Sequence, residues 1–292
     1  MTRHVRATAT IVAAFIAVCR SASPGLAQEE DEKKLGWFYT AELGFTLAGG
    51  NASTNSLSFG GSVRHEWKNA SWKIEGAGLR AEQTSRIRTA VGPDSSNFTV
   101  VEASNSELTA ESYMLATRYD RDLGGNWYAF GAAAWLRNTF AGIDSRWTLG
   151  TGVGNAWYDT DRLRFKTDYG LTYTNQTDVV PDPSVSDSYI GLGAAAEFWY
   201  QVTSTTSVES QLDFITSFAE ASNWRSNWLN SVTVEISKAL ALKAGLLFQY
   251  NNMPALEAVP LDNPLGTPTG QTVTVELDKL DTFFTVGLVL NF

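Results

Sequence analysis

From Trp37 onward, hydrophobic and polar residues alternate with the period of two that is typical of β-strands. The alternation predicts twelve strands, near residues 37–47, 55–67, 71–84, 110–120, 127–139, 145–158, 163–176, 188–201, 207–219, 224–237, 241–251 and 279–292. Most are ten to fourteen residues long, whereas strands of globular proteins average about five or six. A tilted strand of about ten residues spans the hydrocarbon core of a bilayer, so the pattern indicates membrane-spanning strands.

The predicted connections alternate in length. Those after the even-numbered strands are short, whereas the three longest, residues 85–109, 177–187 and 252–278, follow strands 3, 7 and 11. In an up-and-down barrel all odd-numbered connections share one end. Short periplasmic turns and long external loops are typical of outer-membrane barrels. The Pro-, Gly- and Thr-rich stretch 254–272 is predicted to be a loop.

Aromatic residues concentrate near both ends of the predicted strands. The group at the short-turn end comprises Trp37, Trp67, Trp72, Tyr119, Trp127, Tyr128, Trp157, Tyr158, Trp199 and Tyr200. The group towards the other end comprises Phe45, Phe140, Trp147, Tyr173, Tyr189, Phe218, Trp224, Phe248 and Tyr250. Two such belts are what the two bilayer–water interfaces favour.

These patterns predict an all-β fold: one 12-stranded antiparallel up-and-down transmembrane β-barrel over residues 37–292. The alternative is a soluble β-sandwich with two aromatic layers, but it leaves a wide apolar face uncovered. The composition narrows the choice further. There is no apolar run long enough for a membrane helix, and the formal net charge of −9 argues against a nucleic-acid binder.

Both ends of the chain carry predicted targeting signals. Residues 1–27 have the basic start, apolar centre and small-residue end of a secretory signal peptide, and residues 28–36 read as a short periplasmic tail. An alternative makes Cys19 a lipidated N-terminus. At the other end, Thr285, Gly287, Leu290 and Phe292 resemble the barrel-assembly signal of outer-membrane proteins, in which an exposed strand edge pairs with the insertion machinery.

Two segments also carry a family resemblance. Residues 44–54, Gly-Phe-Thr-Leu-Ala-Gly-Gly-Asn-Ala-Ser-Thr, and residues 140–146, Phe-Ala-Gly-Ile-Asp-Ser-Arg, followed by Gly150, Gly152 and Gly154, resemble the salt-induced outer membrane proteins, a family of unknown function. The resemblance runs from about Trp37 to the C-terminus. It implies an outer-membrane barrel linked to osmotic stress and supplies no catalytic residues.

Strand parity predicts which polar side chains face the barrel interior, here called the lumen. The charged set is Glu42, Arg64, Glu66, Lys73, Glu75, Arg118, Arg137, Arg164, Lys166, Asp168, Glu197, Glu209, Asp213 and Glu235. A set of small residues is predicted beside them: Gly44, Ser58, Gly60, Ser62, Gly131, Ala133, Gly170, Gly191, Gly193 and Ala195. Two interpretations stay open, a network of ion pairs that braces the wall and a polar constriction that selects solutes by charge.

The candidate chemistry is sparse. His65 is the single histidine after residue 27, and its parity places it on the outer face. Glu209 and Asp213 lie about 13 Å apart along one strand, too far for paired acid/base work. We therefore predict no catalytic residue, no cofactor and no metal site. The expected function is a narrow passive channel for small polar solutes or ions; the alternatives are a non-conducting structural envelope protein and an outer-membrane hydrolase.

The expected partners follow from the predicted location in the outer membrane of a Gram-negative bacterium. They are outer-membrane lipid, lipopolysaccharide and the barrel-assembly machinery, with no nucleic acid. Divalent cations bridging to lipopolysaccharide are one hypothesis for the acidic residues at the long-loop end; a solvated loop surface is the other. These residues are Asp94, Glu102, Glu107, Asp178, Asp182, Asp187, Glu257, Asp262 and Glu276.

Overall fold

The computed structural model describes residues 35–48, 52–94, 97–262 and 268–291. The predicted signal peptide, most of the predicted tail and Phe292 of the predicted assembly signal lie outside the described residues. The first strand starts at Gly36, within one residue of the predicted start of the barrel.

Twelve antiparallel strands close into one barrel, which confirms the predicted fold class. They are β1 (Gly36–Ala48), β2 (Ala52–Trp67), β3 (Ala70–Asp94), β4 (Asn97–Gly124), β5 (Trp127–Asn138), β6 (Ile143–Asp159), β7 (Leu163–Asp178), β8 (Ser188–Gln201), β9 (Thr206–Ser217), β10 (Trp224–Glu235), β11 (Leu240–Asn251) and β14 (Leu280–Asn291). Each strand pairs with its neighbour along the chain, and β14 pairs with both β11 and β1.

The barrel has two different ends. The short turns after β2, β4, β6, β8 and β10 lie at one end, here called the turn end, together with the start of β1. The longer connections lie at the other, the loop end. A 3₁₀ turn, Thr139–Ala141, connects β5 to β6 there. No helix of the described part of the chain is long and apolar enough to cross a membrane.

The predicted 85–109 connection is in fact a continuation of two strands. β3 and β4 are 25 and 28 residues long and stay paired with each other up to Asp94 and Asn97. Beyond Ser85, which pairs with Ala52 of β2, neither strand has another partner among the described residues. The two strands therefore extend past the barrel rim as a two-stranded arm.

The predicted loop over residues 254–272 is also wrong in part. Leu256–Asp262 (β12) and Pro268–Glu276 (β13) form a two-stranded hairpin. Val259 pairs with Val273, and Thr272–Val275 is a run of β-branched residues, which favour extended backbone. Of the prolines and glycines that suggested a loop, Pro260 lies within β12, and Pro268 and Gly270 lie within β13.

The outer face of the barrel is apolar and exposed. Leu43 is 61% exposed, Leu115 55%, Leu171 52% and Phe284 64%. Four outward tryptophans, Trp72, Trp135, Trp157 and Trp228, donate their indole N–H to a Ser or Thr hydroxyl at 2.8–3.1 Å. A buried or lipid-facing indole N–H needs such a partner, so these rings can face a bilayer without an unmade hydrogen bond.

Three aromatic residues assigned to the belts lie in the lumen instead. Tyr128 and Trp199 occupy inward positions at the turn end, where Tyr128 bonds an inward carboxylate and Trp199 is 7% exposed. Tyr189 is 9% exposed and bonds an inward arginine. The predicted belts did not separate inward from outward rings, because an aromatic ring suits a packed lumen as well as an interface.

The seam between the first and last strands is short. Among the described residues it has four register pairs, from Thr40 with Asn291 to Leu43 with Leu288, whereas each other neighbouring pair in the barrel has eleven or more. A cavity of about 60 Å³, room for a few water molecules, lies behind the seam between Gly44, Gly60 and Gly287.

Candidate functional site

Most of the predicted interior charges line the turn-end half of the lumen. They form ion pairs: Arg64–Glu66 at 2.9 Å, Lys73–Glu75 at 2.6 Å, Lys166–Glu197 at 3.0 Å and Lys243–Glu209 at 4.0 Å. We call this set, with Arg118, Asp120, Arg164 and Asp168, the turn-end charge layer. Glu42 and Glu235 share the inward parity of their strands, as does Asp213, which accepts a hydrogen bond from Asn227 at 2.9 Å.

Arg118 and Asp168 are the best-packed pair of this layer. The Arg118 Nη1 on β4 lies 2.8 Å from Asp168 Oδ2 on β7, three strands away, and its Nε lies 2.7 Å from Asp120 Oδ1. Tyr128 donates its hydroxyl to Asp168 Oδ1 at 2.6 Å, and the Arg118 guanidinium lies 4.3 Å from the ring centroid of Phe130. Asp168 is 4% exposed. A buried charge requires such partners, so the wall is cross-braced here.

The glycine run of β6 makes room for that brace. A Cβ on Gly154 would lie 2.3 Å from the Tyr128 ring and 2.4 Å from Asp168 Oδ1. Gly154 is therefore fixed by packing inside the lumen, and the glycine pattern that carried the family resemblance has a structural reason.

The prediction that Arg137 faces the lumen is wrong. Arg137 pairs across the sheet with Tyr113, which lies on the outer face beside Phe59, and it forms an ion pair with Asp144 at the loop-end rim. Gly131 and Ala133 share its parity and also face outward. Both faces of β5 carry alanines, so alternation alone does not show which residues of this strand face inward. The outward Trp127 and Trp135 show that the odd-numbered residues face outward.

The loop-end half of the lumen holds two arginines that parity could have located but that we did not predict. Arg225 on β10 donates to Thr174 Oγ1 at 3.2 Å, to Thr148 Oγ1 at 3.4 Å and to the hydroxyl of Tyr189. Arg146 on β6 donates from Nε to the side-chain oxygen of Gln176. We call these six residues the arginine cluster. Arg146 and Thr148 lie on β6, four strands away from β10, which carries Arg225. The curvature of the closed wall therefore brings these residues together.

A segment of chain crosses the loop-end mouth of the barrel. Asn252–Ala255 and Leu277–Lys279, which flank the β12–β13 hairpin, are here called the mouth strap. Ala255 and Leu277 contact Gly142, because a Cβ built there would lie 2.4 Å from Ala255 Cβ and 3.1 Å from Leu277 Cδ1. Gly142 lies between β5 and β6, on the wall opposite β11 and β14. The strap therefore spans and narrows this mouth.

The residues considered for catalysis or metal binding are not brought together. His65 lies on the outer face between Trp37 and Trp67, with ring centroids 4.5 and 4.3 Å away. Within the described ranges, no three His, Cys, Asp or Glu side chains form a group that could hold a metal ion. The acidic residues of the loop end lie on the arm, on β7 and the connection after it, and on the β12–β13 hairpin. Asp178 faces inward on β7.

Several solved structures are similar to this chain at low sequence identity. The NanC porin is 11% identical, with a TM-score of 0.44, and the alignment covers 87% of this chain and 100% of that one. An outer membrane channel from Pseudomonas putida F1 has 11% identity and a TM-score of 0.44 over 91% and 100%; the KdgM porin has 7% and 0.42 over 87% and 99%.

The sequence comparisons define the family and leave its activity open. No curated protein matches the sequence. Residues 41–267 match the model described as "Protein of unknown function, DUF481", a match that begins in β1, ends between β12 and β13, and includes both segments singled out by resemblance. This chain therefore belongs to the DUF481 family.

Proposed function

We propose that the protein is an outer-membrane barrel of a Gram-negative bacterium that gives small polar solutes or ions a narrow passive passage. The observation that carries the proposal is the opposition of the two faces of one closed wall. Its outer face is exposed and apolar, whereas the charged side chains of the turn-end charge layer lie inside. An outward Arg or Lys at the bilayer midplane costs about 2–4 kcal/mol. Apolar residues outside and charged residues inside therefore suit a wall that has lipid on its outer face and water in its lumen.

The first test is whether the protein is a membrane barrel. The purified protein is expected to need detergent to stay monodisperse and to migrate faster on a gel when unboiled than when boiled, because a closed barrel resists unfolding by detergent at room temperature. A protein that stays monodisperse in plain buffer and migrates identically under both conditions would not be a membrane barrel.

Passage is tested by planar-bilayer recording of the purified protein. Discrete current steps are expected, and Glu197→Gln is expected to change their size because Glu197 lies in the lumen beside Lys166. Arg137→Gln is the matched control, since it neutralises one charge on the outer rim. Equal effects of the two substitutions would argue against conduction through the lumen.

A second candidate is a non-conducting structural envelope protein. The observations that favour it are the brace between Arg118 and Asp168 and the mouth strap, both of which fill space that a wide pore would leave open. Silent bilayers, with a correctly folded and heat-modifiable protein, would support this candidate. The proposed link to osmotic stress rests on the family resemblance, and a rise in expression after salt addition to the growing cells would support it.

The proposed partners follow from the same location. We expect the last strand, with Thr285, Gly287 and Leu290, to pair with the barrel-assembly machinery, and the outer face to contact lipid and lipopolysaccharide. Deleting Phe292 should then lower the amount of barrel in the outer membrane while the chain accumulates in the periplasm. Unchanged membrane levels would show that the terminal Phe is not part of an assembly signal.

A further inference from the structure

The arginine cluster differs from the turn-end charge layer in its partners. In the turn-end layer, Arg64, Lys73, Arg118, Lys166 and Lys243 each lie within 4.0 Å of a carboxylate. Arg164 is the exception in that layer, and its guanidinium lies 4.0 Å from the ring centroid of Trp199. In the arginine cluster, the contacts of both guanidinium groups among the described residues are to hydroxyl and amide oxygens. Two positive charges are thus held together without a carboxylate directly against either one.

The two guanidinium groups are close to each other. Arg146 and Thr148 point into the lumen two positions apart on β6, about 7 Å along the strand, and Arg225 Nη2 lies 3.4 Å from Thr148 Oγ1. Thr148 and Arg146 are cross-strand neighbours of Thr174 and Gln176 on β7. Like charges at such separations repel each other strongly where water is limited, so the arrangement favours an anion between or beside them.

Two inward carboxylates in the loop-end half of the lumen accept hydrogen bonds from side-chain amides. Asp178 accepts from Gln176 Nε2 at 2.6 Å, so it is linked to Arg146 through the Gln176 side chain. Asp213 accepts from Asn227. The side chain of Gln176 therefore lies between Asp178 and Arg146.

The donor geometry suits an oxyanion. The terminal nitrogens of Arg225 donate hydrogen bonds to three hydroxyl groups, which fix the position of its guanidinium. Arg146 donates a hydrogen bond only from Nε. The two terminal nitrogens of Arg146 have no hydrogen-bond partner among the described residues, which leaves four N–H donors in one plane. A planar guanidinium fork matches the oxygens of a carboxylate or phosphate.

We propose that the arginine cluster binds a small oxyanion, a phosphate or a carboxylate-bearing solute, as it passes the loop-end half of the lumen. The inference deepens the proposed passage by naming its solute class, and it rests on that proposal for the route by which the anion arrives. The mouth strap lies at the same end of the barrel, so a solute entering from the loop end meets the strap and then the cluster.

The test uses the purified full-length barrel and inorganic phosphate as the probe. In bilayers bathed in potassium chloride, phosphate should reduce the chloride current of the wild type, and Arg146→Gln with Arg225→Gln should raise the phosphate concentration needed at least tenfold. The matched control is Arg121→Gln with Arg162→Gln, which removes two exposed charges at the turn end and should leave phosphate inhibition unchanged. Arg146→Lys with Arg225→Lys keeps the charge and should retain part of the effect.

Each result decides between the two proposals. Conduction with phosphate inhibition that is the same in wild type and double Gln variant would overturn the oxyanion site and leave the passage intact. If the folded protein does not conduct, the proposed passage fails, and calorimetric titration of phosphate into the detergent-solubilised protein decides the site. Binding heat that disappears in the double Gln variant would support it, and no heat in the wild type would overturn it. Heat-modifiable migration of each variant checks that it is folded.

Discussion

Single residues of the turn-end charge layer hold distant strands together. Arg118 on β4 meets Asp120 on its own strand and Asp168 on β7, and Asp168 takes a third contact from Tyr128 on β5. Removal of one partner from a buried ion pair leaves the other charge uncompensated, which costs far more than the pair contributes as a whole. The brace is therefore sensitive to neutralisation of either member.

Asp168→Asn is expected to lower the free energy of unfolding by about 3 kcal/mol, because it leaves the Arg118 guanidinium without its buried partner. Urea unfolding of the barrel in lipid vesicles, followed by tryptophan fluorescence, measures the loss. The control is Asp120→Asn, whose side chain is 26% exposed and which should cost clearly less. Equal losses from the two substitutions would show that burial of Asp168 is not what makes it important.

A second residue-scale prediction concerns the loop after β7. Two hydrogen bonds from Ser184, from its amide at 2.9 Å and its hydroxyl at 2.7 Å, hold the pKa of Asp182 below its ordinary value of 3.8. The turn is therefore stabilised above that value, and the stabilisation is lost as the pH falls through the lowered pKa. Ser184→Ala should raise the Asp182 pKa towards 3.8, measured by carboxyl NMR titration, whereas Ser186→Ala should not change it.

At the scale of elements, alternation predicted all twelve barrel strands because one face of each is apolar along most of its length. It failed where the two faces are alike. Because β5 has alanines on both faces, alternation did not show that Arg137 faces outward. It also could not show that Arg225 on β10 reaches Thr148 on β6, since that contact depends on the curvature of the closed wall. The arm and the β12–β13 hairpin were missed because polar residues in them suggested loops.

The mouth strap gives an element-scale prediction. Gly142 has φ +73° and a Cβ there would contact Ala255 and Leu277, so Gly142→Val should displace the strap and increase single-channel conductance. Gly125→Val is the control, because Gly125 has a similar φ of +64° at a turn-end turn but nothing within 4 Å of its Cβ position. If both substitutions change conductance equally, backbone strain and not the strap contact is responsible.

For the whole molecule, closure of the barrel depends on the seam. Within the described ranges, four register pairs join β1 to β14, and the chain between them contains the rest of the wall. A disulfide between Ala41→Cys and Leu290→Cys, which face each other across the seam, would close a loop of about 250 residues, which the chain-entropy account values at more than about 4 kcal/mol.

The cross-linked barrel should therefore stay compact on unboiled gels at temperatures that unfold the wild type, and reductant should reverse the effect. Either single cysteine variant is the control, since Cys19 lies within the predicted signal peptide. A disulfide that forms but leaves the unfolding temperature unchanged would mean that the wall yields first somewhere else.

The short seam also sets an order of events. A barrel with its fewest hydrogen-bonded pairs between the first and last strands should open there first. Amide protons of β1 and β14 should therefore exchange with deuterium sooner than those of β6 and β7, which share fifteen register pairs. If assembly follows the reverse order, β1 and β14 pair last, and the interior is closed off from the surrounding acyl chains only at that final step.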